Sequence, residues 1–273
     1  MLFLEFGFGK LLSKKLASVL AVLLLSSMLS SCVTTTTGGF MVDASEERAA
    51  ADYIKLALAY FDNNDMPGAR RHVSNALDID DRISDGYMVL AMIFQRESDL
   101  DLADSNFRRA IRLDQDNSSA RNNYAAMLFS LGRYRESYEQ LERVATDTSY
   151  EGRSLVFEGL GRSALRLGRL EDAIAAFQRA LQLNENLYIA PLELALIYFD
   201  QQDYPSARQY YLNYLTTIQF LQLPHTPRAL LAGIQIEGYF QNEELVENFS
   251  LVLSTLYPTS PEYQTFQRLN DAN

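Results

Sequence analysis

This chain of 273 residues has a single cysteine, Cys32, so no intramolecular disulfide can brace it. Its two histidines, His72 and His225, have no cysteine or carboxylate at metal-ligand spacing beyond ordinary helix neighbours, and both are expected at the surface. No glycine-rich phosphate loop is present; Gly159-Leu160-Gly161 falls inside a helical pattern. Asp78, Asp80 and Asp81 lack the loop glycine and the closing glutamate of a calcium loop, and read as an acidic helix end. No acid–base cluster emerges, so neither an enzyme, a cofactor nor a small-molecule substrate is expected. Positive charge is also scarce, with 24 Lys and Arg against 35 Asp and Glu. That balance argues against nucleic acid and against a polybasic grip on anionic lipid. The apolar run Leu16–Leu29 is short of the roughly 20 residues that a membrane span needs.

What is present begins with that run. Lys10, Lys14 and Lys15 precede it, and Leu29-Ser30-Ser31-Cys32 follows. A cationic start, an apolar stretch and small residues before a cut describe an export signal. The placement of Cys32 resembles a bacterial lipobox, which implies cleavage before Cys32 and a lipid on its sulfur. Val33 follows where the usual sorting rule puts aspartate for inner-membrane retention, so the resemblance points to the periplasmic face of the outer membrane. Residues 1–31 are then a lipoprotein signal peptide. Residues 32–47, with Thr34-Thr35-Thr36-Thr37-Gly38-Gly39, read as a lipidated flexible tether that would stretch to about 50 Å and more often span about 20 Å. Losing residues 1–31 removes three lysines and Glu5, which leaves 21 basic and 34 acidic side chains and takes the net charge from −11 to −13. Roughly 225 residues then remain, enough to bury a sizeable core.

The remainder repeats. Small residues recur at Ala57, Ala91, Ala125, Gly161 and Ala195, in steps of 34, 34, 36 and 34. A second small set, Ala69, Ala103, Ser137, Ala173 and Ala207, keeps the same steps, and a large residue follows each by four: Val73, Phe107, Leu141, Phe177, Tyr211. Apolar residues recur at helical spacing, and turn chemistry separates the helices at Asn63-Asn64-Asp65, Ser98-Asp99, Leu131-Gly132-Arg133, Leu167-Gly168-Arg169 and Gln202-Asp203. Each unit is two antiparallel helices whose small residues let the backbones approach. The period and the residue classes resemble the tetratricopeptide repeat. The resemblance implies an all-α, right-handed superhelix of about six tetratricopeptide helix pairs: five over residues 48–220, then a linker and a degenerate sixth repeat or cap over 221–273.

The chain departs from that family in places. Asp81, Gln115, Thr148 and Glu185 stand where a closing proline is common. Tyr214 is large where a small residue is preferred, so unit five is expected to pack differently. Proline breaks the helix in Leu221-Gln222-Leu223-Pro224-His225-Thr226-Pro227, and the sixth pair is expected at about Arg228–Phe240 and Glu243–Leu256.

In this repeat family the first helices line a concave groove. The groove positions of units one and two are conspicuously apolar, with Ile54, Leu58, Phe61, Met88 and Met92 as the expected partner-binding set. Such a surface suits an amphipathic helix or an extended peptide, and methionine adapts to either. The alternative is plain packing between neighbouring units, which applies most to Phe61, Phe129 and Phe199. Repeat packing itself is assigned to Ala57, Ala69, Ala91, Ala103, Gly161, Ala173, Ala195 and Ala207.

The cysteine-to-repeat distance, Asn122-Asn123-Tyr124, Leu131-Gly132-Arg133-Tyr134, Glu158-Gly159-Leu160-Gly161 and the ending Tyr257-Pro258-Thr259-Ser260-Pro261-Glu262 together resemble one family. It is that of the type IV pilus biogenesis and stability lipoproteins, the pilotins of the pilus secretin. The resemblance implies a non-catalytic factor that binds secretin subunits and promotes their targeting and multimerisation at the outer membrane, held there by the lipid on Cys32. A general periplasmic adaptor of the same repeat, for example one docking peptidoglycan hydrolases, is the competing reading. A lipid-tethered regulatory arm of an enzyme is a further one.

Overall fold

The computed structural model describes residues 39–271, with side chains from Ser45 onward. Cys32, the signal segment and the tract up to Gly38 lie outside the described residues. Among the described residues there are thirteen helices and no strand. They run α1 (Gly39–Asp62), α2 (Met66–Ile79), α3 (Ser84–Arg96), α4 (Leu100–Leu113), α5 (Ser118–Ser130), α6 (Tyr134–Thr146) and α7 (Arg153–Arg166). Then follow α8 (Leu170–Leu183), α9 (Ile189–Asp200), α10 (Tyr204–Phe220), α11 (Pro227–Tyr239), α12 (Glu243–Leu256) and α13 (Pro261–Asp271). Consecutive helices pair, and the six pairs stack as a superhelix of tetratricopeptide type. The repeats belong to a compact unit that starts at Ala49.

Two boundaries differ from the sequence reading. Helix begins at Gly39, so residues 39–47 are helical where a flexible tether was expected. From Phe40 to Asp62 there is neither glycine nor proline, and alanine, glutamate and leucine carry the helix through. At the other end, the run from Pro261 is a thirteenth helix that the repeat alignment did not contain. Pro261 stands in its first turn, where a missing N–H costs nothing.

The small residues sit where the helices cross. Ala57, Ala69, Ala91, Ala103, Gly161, Ala173, Ala195 and Ala207 are all buried. A Cβ added at Gly161 would lie 2.6 Å from Cε1 of Phe177, so glycine is the residue this crossing admits. In unit three Ser137 replaces alanine, and its buried hydroxyl donates to the Ala125 carbonyl at 2.9 Å, joining the two small positions directly. The same close approach recurs in the sixth pair at Gly233, whose Cβ would collide with the Tyr211 hydroxyl and with Phe249.

Each hairpin closes in one way. The second residue past the first helix of the pair is left-handed: Asn64, Ser98, Gly132, Gly168, Gln202 and Gln241 all have φ between 56° and 75°. The next residue then donates its N–H back to a carbonyl five positions earlier, as Asp65 does to Tyr60 at 2.8 Å and Arg133 to Leu128 at 2.9 Å. This is the Schellman arrangement, which satisfies carbonyls that the helix end leaves free. Where the left-handed residue is not glycine, the next one caps the following helix through its side chain: Asp65, Asp99, Asp203 and Asn242 each accept an N–H of the new first turn. Where it is glycine, the next residue is Arg133 or Arg169, which makes no such cap.

Unit five does pack differently. Its second helix, α10, runs 17 residues. Tyr214 is buried and stacks on Tyr211 with ring centroids 5.7 Å apart. His225, in the linker, folds onto Tyr214 and Phe249 at 6.3 and 5.8 Å.

Candidate functional site

The first helices present the inner face of the repeats, and the expected groove divides there. Ile54, Phe61 and Met88 are only 4, 8 and 5% exposed and belong to one core cluster with residues of α2 to α5. They are packing residues first, which corrects their assignment as a docking surface. Their positions lie at the edge of the first helix, where the stacked neighbour covers them. Leu58 and Met92 are partly buried against the same cluster and keep an open side.

Met92 lines a depression of about 340 Å³ with Phe61, Gln95, Arg96, Asn123 and Ala126. Arg96 lays its guanidinium over Phe61, 4.9 Å from the ring centroid, and reaches Asn64 Oδ1 at 3.3 Å. An apolar floor thus has a charged flap, an arrangement worth about 0.5–1 kcal/mol at an exposed site. Asn123 is held by the Ser119 carbonyl at 2.9 Å and points its amide at Met88 Sδ, 3.8 Å away.

A second depression, about 510 Å³, lies further along the repeats, lined by Phe129, Arg162, Leu165, Arg166, Glu193 and Arg228. Arg228 forks onto Glu193 through two bonds of 2.5 and 2.8 Å, which ties α11 to α9. Arg162 stands over Phe129 at 4.6 Å and Arg166 over Tyr134 at 5.7 Å. Beside them Glu158 is buried. It accepts the Ala190 N–H at 3.1 Å, and burial pushes its carboxyl above the usual range. Arg228 and Glu193 escaped the sequence reading, because the linker before α11 shifts the sixth unit out of the 34-residue register. The signal that could have found them is Gly233, the small residue that sets that register.

A larger depression, about 940 Å³, is lined by Gln115, Arg121, Gln140, Arg143 and acidic neighbours. Arg121 is held there by neutral acceptors, donating to Gln140 Oε1 at 2.6 Å and to the Gln115 carbonyl at 2.9 Å.

Neither histidine lies at the surface as expected. His72 sits between Tyr53 and Tyr60, with centroids 5.9 and 4.9 Å away. His225 is half-buried among Tyr214 and Phe249, and burial pulls its pKa down. Both side chains pack against aromatic rings. Among the described residues no group of three or more His, Cys, Asp or Glu could hold a metal ion.

Stacked helical hairpins with an inner face of partly buried apolar residues and arginine define a helical-repeat scaffold, a class that works by protein contact. A tetratricopeptide-repeat family model matches residues 88–151 and 158–219. The type IV pilus assembly protein PilF of Pseudomonas aeruginosa is 35% identical over 226 residues, covering 82% of this chain and 87% of the relative. A solved structure from work on the function of P. aeruginosa PilF aligns with a TM-score of 0.77 at 34% identity, over 82% of this chain and 99% of the other. The crystal structure of PilW, described as a widely conserved type IV pilus biogenesis factor, shares the fold with a TM-score of 0.66 at 24% identity, over 80% of this chain and 98% of that one. The chain is a tetratricopeptide-repeat protein and belongs to the family of the type IV pilus assembly protein PilF.

Proposed function

We propose that this protein is a non-catalytic, outer-membrane lipoprotein that binds secretin subunits of the type IV pilus and promotes their targeting and multimerisation. The observation that carries this reading is the 35% identity to a pilus assembly protein across nearly the whole repeat region. The sole cysteine at the end of the signal-like segment supplies the anchor: Cys32 carries the lipid and holds the repeats on the periplasmic face. Several acyl chains hold a protein firmly, because each buried methylene adds about 0.8 kcal/mol. Secretin contact falls on the inner face of repeats one and two. Leu58 and Met92 give it apolar area, and Arg96 over Phe61 gives it a movable polar edge.

The test is affinity purification from detergent-solubilised membranes of the native organism, with wild type and Cys32→Ala in parallel. The reading expects secretin with the wild type, fatty-acid labelling of the wild type alone, and loss of the variant from the outer-membrane fraction. Labelling that persists in Cys32→Ala, or a wild-type eluate free of secretin, would refute it.

A further inference from the structure

The surface between α5 and α11 is locally basic in an acidic protein. The chain carries a formal net charge of −11, yet three arginines, Arg162, Arg166 and Arg228, converge on one depression with Phe129, Leu165 and Glu193. Their states differ. Arg228 is paired in a fork with Glu193. Arg162 and Arg166 enter no ion pair among the described residues. Each is instead laid over an aromatic ring, Phe129 or Tyr134, which steadies the guanidinium and leaves its donors unused. Glu158, whose charge Arg162 also feels, is buried, held by the Ala190 N–H and disfavoured as an anion by burial.

A preorganised guanidinium with free donors is matched by a carboxylate, which it binds through two parallel bonds. The half-buried Phe129 and Leu165 between the arginines match an apolar side chain. The concave shape, spread over repeats three to six, fits an extended chain better than a flat lipid surface. We propose that this stretch of the inner face is a second docking subsite, which takes an extended segment of a partner protein that alternates acidic and apolar side chains. Arg162 and Arg166 receive the carboxylates, while Arg228 and Glu193 fix the far wall. The inference rests on the reading that the inner face docks a protein, and adds a site separate from Leu58 and Met92 with its own chemistry.

The test is fluorescence anisotropy of the full chain in neutral detergent with a short labelled peptide alternating aspartate and leucine, and with its asparagine–leucine counterpart. The acidic peptide is expected to bind, with an affinity that falls steeply as salt rises, and the neutral peptide to bind at least about tenfold more weakly. Arg162→Glu with Arg166→Glu should abolish binding, and the gentler Arg162→Gln with Arg166→Gln should weaken it about tenfold or more, since a hydrogen bond to a charged group contributes about 1.5–3 kcal/mol. Circular dichroism checks that each variant keeps its helix. Leu58→Glu with Met92→Glu should leave this peptide's affinity unchanged, so failure of the secretin groove in repeats one and two reads out separately. No binding, equal binding of the two peptides, or binding indifferent to the arginine variants overturns the proposal. Competition by phosphatidylglycerol micelles that needs Arg162 and Arg166, with no discrimination between the peptides, overturns it in favour of a lipid headgroup.

Discussion

Glu237, with no exposed side-chain area, receives both donors of the Arg208 fork at 3.0 and 2.8 Å. Arg208 is on α10 and Glu237 on α11, so this pair locks the degenerate sixth repeat onto the fifth. Asn242, the residue that caps α12, adds a third bond to Glu237 at 2.9 Å. One buried carboxylate therefore gathers three helices, after a linker that has lost the regular repeat spacing.

Glu237→Ala should destabilise the protein by about 2–4 kcal/mol, since one partner of a buried pair is removed while Arg208 keeps some access to water. The loss should concentrate at the C-terminal end. Hydrogen exchange should show faster exchange in α11 and α12, with α3 to α8 unchanged. Uniform protection across the chain would contradict the role of this pair.

Gly161→Leu should lower the melting temperature. Even a Cβ added at this crossing would press on Phe177, and overpacking costs about 1–3 kcal/mol. Gly233→Ala should act likewise against Tyr211 and Phe249. Melting curves equal to wild type would mean that these crossings have slack.

Gln202→Gly should stabilise. Gln202 is held at φ 63°, a left-handed conformation that costs non-glycine residues energy, while Asp203 already caps the next helix. After the extra entropy of an unfolded glycine is set against that relief, a gain of about 0.5–1 kcal/mol remains. In a domain of this size that is about 1–4 °C in Tm. An unchanged or lower Tm would show that the Gln202 side chain has a role of its own.

Glu158→Gln should raise stability at neutral pH. Burial lifts the folded carboxyl above its usual range, so the folded state binds a proton more readily than the unfolded one. The stability this gives Glu158 is fully present below the unfolded pKa of about 4.3 and is lost as pH rises through the folded value. The amide still accepts the Ala190 N–H and has no charge to bury. The advantage of the variant should therefore be largest near neutrality and vanish at acid pH. A variant less stable than wild type at neutral pH would contradict this.

The repeat itself was legible because one geometric demand recurs. Wherever two backbones cross, the residue must be small, and Ala57, Ala91, Gly161 and Ala195 keep that demand in register. Turn positions were legible for a similar reason, since the left-handed residue and its capping neighbour are both polar or glycine. The split of the groove was not. Helical periodicity tells which residues share a face, but Ile54 and Leu58 share theirs, and only the stacked neighbour decides that one is covered and the other half-open. His225 deceived because prolines on either side resemble a surface loop, whereas Tyr214 and Phe249 draw it inward. Arg228 and Glu193 meet across a linker of irregular length, which no fixed period reveals.

The central claim is that the inner face of repeats one and two docks the secretin, and its most direct measurement pairs binding with circular dichroism for Leu58→Glu combined with Met92→Glu. Charge placed in a docking groove must be desolvated without a partner, so affinity for a purified secretin fragment should fall by at least about tenfold while the helical spectrum stays native. Wild-type affinity with a native spectrum would contradict the account and remove the docking site from these two repeats.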